Sequence, residues 1–304
     1  MPAITVGLDG SPESIAAADW AAREAAQREA LLCLVHAQEP LYPVFAPLGG
    51  VPAPDTTEVQ RTWAAHLLSE TETRLAERHP GLKITTRQAE EPAVAALLTA
   101  AGDTDLLVLG SRGLGTVAGF LVGSVALGVV ARAELPVVLV RGGERAEDEH
   151  LPDAAGAGST STPYRDVVLG LDLENPGDAV IAFAFEAARR RGAGLRVVHG
   201  WNPAAVYGYG AALDAGLNEE LAQEARNGLA EVLRPWRDKF PGAEVREQSV
   251  IGGAGRHLAH ASRDAALVVV GRKTRRAAIG GHIGPVTHAV LQHASAPVAV
   301  VPHD

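Results

Sequence analysis

Short runs of branched apolar residues alternate along this chain with longer segments of helical period. In the first half the apolar runs fall near residues 3–9, 32–37, 82–88, 105–110 and 136–141, which predicts strands buried on both faces. Helices are predicted near 12–29, 56–78, 91–101 and 124–132. Within 56–78, Val59, Trp63, Leu67 and Leu75 recur at helical spacing, which predicts one shared buried face. A segment near 217–239 does the same with Leu217, Leu221, Ala225, Leu229 and Trp236. Buried strands joined by helices predict a doubly wound α/β fold with a five-stranded parallel sheet.

The pattern is written twice. "ITVGLDG" at 4–10 returns as "VVLGLDL" at 167–173, and "LCLVHA" at 32–37 as "LRVVHG" at 195–200, both offset by 163 residues. "DLLVLGSR" at 105–112 returns as "ALVVVGRK" at 266–273, and "LPVVLV" at 135–140 as "APVAVV" at 296–301, both offset by 161. Between the copies, 142–163 is charged, then rich in small residues, Pro and Ser, with no apolar period. It reads as a flexible linker joining a domain over 1–141 to a second over 164–304.

Composition narrows the function classes. A formal net charge of −9 argues against a general nucleic-acid or anionic-membrane surface. The most apolar region, 117–140, is broken by Arg132, Glu134 and Pro136, too interrupted to span a membrane. "MPAITVGLDG" enters a strand pattern at once, leaving no room for a signal peptide. The lone cysteine, Cys33, sits in the apolar run "LLCLVH" and reads as core; with no possible intrachain disulfide, a reducing, cytoplasmic setting is expected.

"GSRGLGTVAGFLVGS" at 110–124 holds five glycines between a strand end and a helix start. The free N–H groups and positive dipole end of that helix attract an anion. Gly123 lets a ligand approach, Ser124 adds a hydroxyl, and Gly113 and Gly115 permit a sharp turn back over the site. No Walker string is present, and the first strand leads into "LDGSPES" instead of a dinucleotide fingerprint. There Ser11 is a natural N-cap with Pro12 at the first helical position. Asp9, at the end of the first strand, reads equally as a turn-stabilising side chain or a partner for a ribose hydroxyl. Its pairing with the glycine loop favours the ligand.

Gly110-x2-Gly113-x9-Gly123-Ser124 resembles the ATP-binding pattern of the universal stress proteins, Gly-x2-Gly-x9-Gly-(Ser/Thr), and the likeness covers both copies. The resemblance implies two tandem flavodoxin-like domains and ATP as ligand, with or without Mg. It implies adenine near Asp9 and Ala37, phosphates on Gly113, Gly123 and Ser124, and Leu109, Gly110 and Arg112 lining the nucleotide. Arg112 reads equally as a phosphate contact or a solvated loop cation. Single-domain members commonly dimerise through the fifth strand, so a homodimer, or a pseudo-dimer of the two domains through Pro136–Arg141 and Pro297–Val301, is expected.

The second copy departs from the pattern. It keeps Gly271 and Gly284, but Thr274 replaces the second glycine and Pro285 the serine, so two phosphate donors vanish together. "DGS" becomes Asp172-Leu173-Glu174, adding a carboxylate. Arg272, Lys273, Arg275 and Arg276 offer an anion site of another kind or, as the favoured reading, a solvated basic loop. His257, His260, His282, His288 and His293 lack the partners of a metal set and read as surface or capping residues. The loops at 38–55 and 201–216 flank the expected site as lids, partner surfaces or plain connections.

No catalytic or metal residues are assigned. The expected function is an ATP-binding stress-response regulator, its nucleotide held mainly in the first domain. The alternatives are a slow ATP hydrolase or adenylate-handling enzyme of the same fold, and a scaffold whose nucleotide is only structural.

Overall fold

A computed structural model describes residues 1–38, 56–111, 122–202, 215–274 and 283–304. The chain divides into two compact units, the first ending at Gly143 and the second running from Glu144 to Asp304.

The first unit carries β1 (Ala3–Gly7), α1 (Pro12–Arg28), β2 (Leu31–Ala37), α2 (Thr56–Arg78), β3 (Ile84–Ala89), α3 (Ala93–Ala101), β4 (Leu106–Ser111), α4 (Ser124–Arg132) and β5 (Val137–Arg141). Its strands are all parallel, in the order β3-β2-β1-β4-β5. Helix α1 packs with α2, and α3 with α4. Right-handed crossovers that run outward from β1 in two directions put these pairs on opposite faces of the sheet. The second unit repeats the plan with β6 (Asp166–Gly170), α5 (Asp178–Arg191), β7 (Leu195–Trp201), α6 (Ala215–Lys239), β8 (Val245–Ile251), α7 (Ala254–Ala261), β9 (Ala265–Lys273), α8 (Pro285–His293) and β10 (Val298–His303). Its order, β8-β7-β6-β9-β10, is likewise parallel throughout. These are the doubly wound, five-stranded sheets that the alternating pattern predicts.

Each core is built from Val, Leu and Ala. The central strands bury Ile4, Val6, Leu106, Leu107 and Val108 completely, and α1 presents Ala17, Ala18, Ala21, Ala22 and Ala25 to the sheet with Trp20 filling the remaining space. Cys33 lies half-buried in β2. Helix α1 starts as its sequence predicts, with Ser11 Oγ accepting from Ser14 N–H at 3.2 Å and Pro12 in the first turn.

Helix α2 departs from expectation. Its buried face is Ala64, Leu68, Thr71 and Leu75, while Val59 is exposed and Trp63 is 49% exposed. Leu68 and Leu75 alternate there with the smaller Ala64 and Thr71, and only Leu75 of the predicted face is fully buried. Two ion pairs from Asp19 on α1, to Arg74 at 2.5 Å and Arg78 at 3.3 Å, join the two helices.

The connection after β5 makes contacts of its own. A short 3-10 turn spans Ala146–Glu149, and Glu149 faces the buried Arg191 guanidinium at 3.7 Å. The His150 and Tyr164 rings meet at 3.9 Å, and Leu151 N–H donates to Pro163 O at 2.9 Å. Of these contacts, only that of Glu149 with Arg191 reaches a later helix.

One backbone strain separates the two copies. Both first helices end in the left-handed region, at Glu29 (φ 52°) after α1 and at Gly192 (φ 58°) after α5. Glu29 is the one non-glycine residue with positive φ among the described residues. A side chain there costs about 1 kcal/mol relative to glycine. Glu29→Gly should therefore raise the stability of the first unit by up to about 1 kcal/mol in urea unfolding. An unchanged or lower midpoint would show that no strain resides at Glu29.

Candidate nucleotide-binding site

In an open parallel sheet, ligands bind beyond the carboxyl ends of the strands where the order reverses. In the first unit that point lies at β1, which pairs with β2 on one side and β4 on the other.

Three strand ends meet there. Gly7 is level with Val35 of β2, and Val6 with Val108 of β4. Continuing these registers sets Asp9 level with Ala37, and Leu8 level with Gly110. β1 stops at Gly7, so Asp9 belongs to the following loop. Asp9 Oδ1 accepts from Ser11 N–H at 3.0 Å and from Ser11 Oγ–H at 2.5 Å, and Asp9 N–H donates to Ser14 Oγ at 3.3 Å. The carboxylate thus secures the turn. Ala37 is half-buried at the end of β2. Just before it, His36 Nδ1 lies 2.8 Å from Leu8 O. A carbonyl only accepts, so Nδ1 carries the proton.

Leu109 is buried, its Cδ2 2.7 Å from where a Cβ on Gly7 would stand. Its side chain packs beneath the crevice and leaves only backbone to face it. Gly110 has a structural reason of its own. A Cβ there would lie 2.6 Å from Glu13 C and 2.7 Å from Ser14 N, so the first turn of α1 rests on it. Arg112 and Gly113 lie outside the described residues, as does Gly115.

Gly123 caps α4 in an extended conformation (φ −63°, ψ 149°), with no side-chain hydrogen bond to the cap. Ser124 follows, exposed. The first intrahelical bond runs from Leu127 N–H to Gly123 O at 3.0 Å. The N–H groups of Ser124, Val125 and Ala126 therefore have no acceptor within the helix. Because α4 follows β4 and returns to the parallel β5, this helix start stands at the carboxyl end of the sheet. Asp9, Ala37, Gly110, Gly123 and Ser124 thus share one edge.

The second unit arranges the same positions differently. Asp172 Oδ1 accepts from Glu174 N–H at 3.0 Å, and His199 Nδ1 lies 3.0 Å from Leu171 O, repeating the His36 bond. Gly271 lies under the His303 imidazole, whose Nε2 would be 2.6 Å from a Cβ placed there. The Gly271 carbonyl accepts from the Thr287 hydroxyl at 2.8 Å. Arg272 is buried within β9, while Lys273 is exposed and donates to Asn175 Oδ1 at 2.8 Å. Neighbouring strand residues point to opposite faces, so these two cations do not converge on one anion. Arg275, Arg276 and His282 lie outside the described residues. Thr274 hydrogen-bonds to His303 O. Gly284 caps α8, with Pro285 in its first turn.

His257 Nε2 lies 2.9 Å from Ile251 O, a local tie within the unit. Among the described residues, no group of three or more His, Cys, Asp or Glu side chains could hold a metal ion. No helix among them is long and apolar enough to cross a membrane.

The sequence pattern described as the universal stress protein family matches residues 1–141 and again 163–302. The chain belongs to the universal stress protein family. A universal stress protein of Mycobacterium bovis is 32% identical over 302 residues, covering 98% of this chain and 96% of the relative. One from Mycolicibacterium smegmatis is 32% identical over 310 residues, with coverage of 98% and 96%. The solved universal stress protein of Archaeoglobus fulgidus superposes over 99% of this chain and 98% of its own, with a TM-score of 0.69 at 16% identity, a likeness of fold. The two halves of this universal stress protein are thus two copies of the family's unit.

Sequence reasoning missed two side chains at the first site. Trp63 reads as core by its spacing, yet stands partly exposed beside Gly10. The helical period was its only signal, and it does not tell an inner face from an outer one. His36 carries no motif; its signal was its repetition as His199.

Gly110→Ala should destabilise the first unit by roughly 1–3 kcal/mol, because the obstructing atoms are backbone. Gly284→Ala, with nothing within 4 Å of the added carbon, should change stability by less than about 0.5 kcal/mol. Urea unfolding of both variants is the check; equal effects would mean that α1 does not rest on Gly110.

Proposed function

We propose that this universal stress protein binds ATP at the first unit's crevice and works as a nucleotide-dependent regulator of the stress response in the cytoplasm. The observation that carries this reading is the start of α4, where a glycine cap and N–H groups without intrahelical acceptors stand at the carboxyl edge of the sheet, where β1 and β4 also end. Such a helix start favours a phosphate by hydrogen bonding and by its dipole.

On this reading the N–H groups of α4 and the Ser124 hydroxyl hold phosphate oxygens. Asp9, already pinned by Ser11, accepts from a ribose hydroxyl, and the base lies toward Ala37. Gly123 keeps the phosphate approach open, and Arg112 and Gly113 complete the loop as the family pattern implies. ATP brings Mg as the counter-ion of its own phosphates. The site offers positioning donors, and none of the residues assigned to it is placed as a general base for attacking water. The expected role is therefore binding and release, with turnover well below the roughly 1–1000 per second of typical enzymes.

The second unit supports weaker binding. Pro285 has neither N–H nor hydroxyl where α4 has both at Ser124. A hydrogen bond to a charged group contributes roughly 1.5–3 kcal/mol, so one lost donor weakens binding about tenfold or more.

Gly123→Val should abolish ATP binding in calorimetry while leaving the fold intact. The φ of −63° and ψ of 149° suit valine, so the added side chain obstructs the ligand and does not strain the backbone. Unchanged affinity would remove Gly123 from the site. A steady-state hydrolysis rate of about 1 per second or more from the pure protein would favour the hydrolase over the regulator.

A further inference from the structure

Four tryptophans occur in the chain. Trp20 is buried in the core, as tryptophan in a sheet-and-helix fold ordinarily is. Trp63 is 49% exposed. The edge of its indole rests on the loop after β1: a Cβ on Gly10 would lie 2.9 Å from Cζ2 and 3.0 Å from Cη2. Gly10 also has a φ of +80°, so the position requires glycine on both counts. A second side of the indole meets the His36 ring edge-on, with centroids 5.4 Å apart and planes at 73°.

His36 is buried and fixed by its Nδ1–H bond to Leu8 O. Helix α2 is tied to α1 through Asp19 and to the end of β3 through the Arg61–Glu90 ion pair at 2.8 Å. The indole is thus held at the carboxyl ends of β1 and β2, with about half of its surface facing solvent.

The second copy provides the control. Leu173 takes the place of Gly10, and there the loop side chain reaches toward the helix: a Cβ on Gly228 of α6 would lie 3.3 Å from Leu173 Cδ1. In the first unit Leu67 of α2 reaches back toward the loop, its Cδ2 3.7 Å from where a Cβ on Gly10 would stand. Both units thus fill the gap between loop and helix with a leucine, from the helix in the first and from the loop in the second. The Trp63 indole is an addition to that filling and keeps about half of its surface in solvent. Closing the gap does not require it.

We infer that Trp63 is the aromatic wall of the base subsite, stacking against the purine of the nucleotide bound in the first unit. The inference rests on the proposed ATP site and adds to it the residue that reads the base. Base stacking on an aromatic side chain tolerates either face and needs no hydrogen-bond partner, which suits an exposed indole on a fixed helix.

The test compares ATP with inorganic tripolyphosphate, which carries the phosphate charge without a base. Both are titrated calorimetrically into the full-length native chain, W63A and W63F. W63A should bind ATP about tenfold more weakly or worse, with tripolyphosphate affinity unchanged, and W63F should return ATP affinity to within about threefold of native. ATP should also shield part of the native tryptophan emission from acrylamide, with no such shielding in W63F. Equal ATP affinity in native and W63A, or parallel loss of both ligands, would overturn the wall while leaving the ATP site standing. If native protein binds no ATP, the site itself fails and the wall with it. Should W63A not fold, the shielding measurement decides alone: quenching of native protein unaffected by saturating ATP would overturn the inference.

Discussion

Hydrogen bonding of β1 on both flanks, to β2 and to β4, is the constraint from which the site follows. With both edges used, the chain leaves β1 and β4 toward opposite faces of the sheet, and a crevice opens where the two connections part. The connection after β1 must be tight, because the first turn of α1 rests directly on Gly110. Asp9 and Ser11 tighten it further by closing their own hydrogen-bonded turn. The connection after β4 must end in a helix start at the same edge, since α4 has to return to β5 in parallel. The helix-start N–H groups of α4 and the Asp9 carboxylate are thereby set on one rim by topology.

The two copies share this framework and differ at its rim. Both keep the histidine bonded to the carbonyl beyond the first strand, His36 to Leu8 and His199 to Leu171. Both keep a glycine at the end of the fourth strand. The first unit covers that glycine with helix backbone, and the second with the His303 imidazole. In the second unit the start of α8 is further consumed by Pro285, and Thr287 is turned inward to the Gly271 carbonyl. One framework thus carries two different sets of side chains at its rim.

Much of the fold was legible because buried parallel strands are continuous apolar runs, and the predicted strands and helices fall close to the observed ones. β1 is shorter than its apolar run, so Asp9 moved from strand to loop. Which face of α2 is buried was not legible, since the inner face mixes Ala64 and Thr71 with Leu68 and Leu75 and leaves Val59 and Trp63 outside. Nor was the contact of Glu149 with Arg191, which meet across intervening elements. At the site, the motif identified Gly110 and Gly123 but assigned both to the ligand. The contact between Gly110 and α1 shows that a motif glycine also serves the fold, a distinction that only tertiary packing reveals.

The central claim is that ATP is held chiefly by the first of two unequal units. Calorimetric titration of ATP into the intact chain, freed of any nucleotide carried through purification, tests it most directly. The account predicts one tight site per chain, with any second site at least about tenfold weaker. No binding, or two sites of equal affinity, would contradict it.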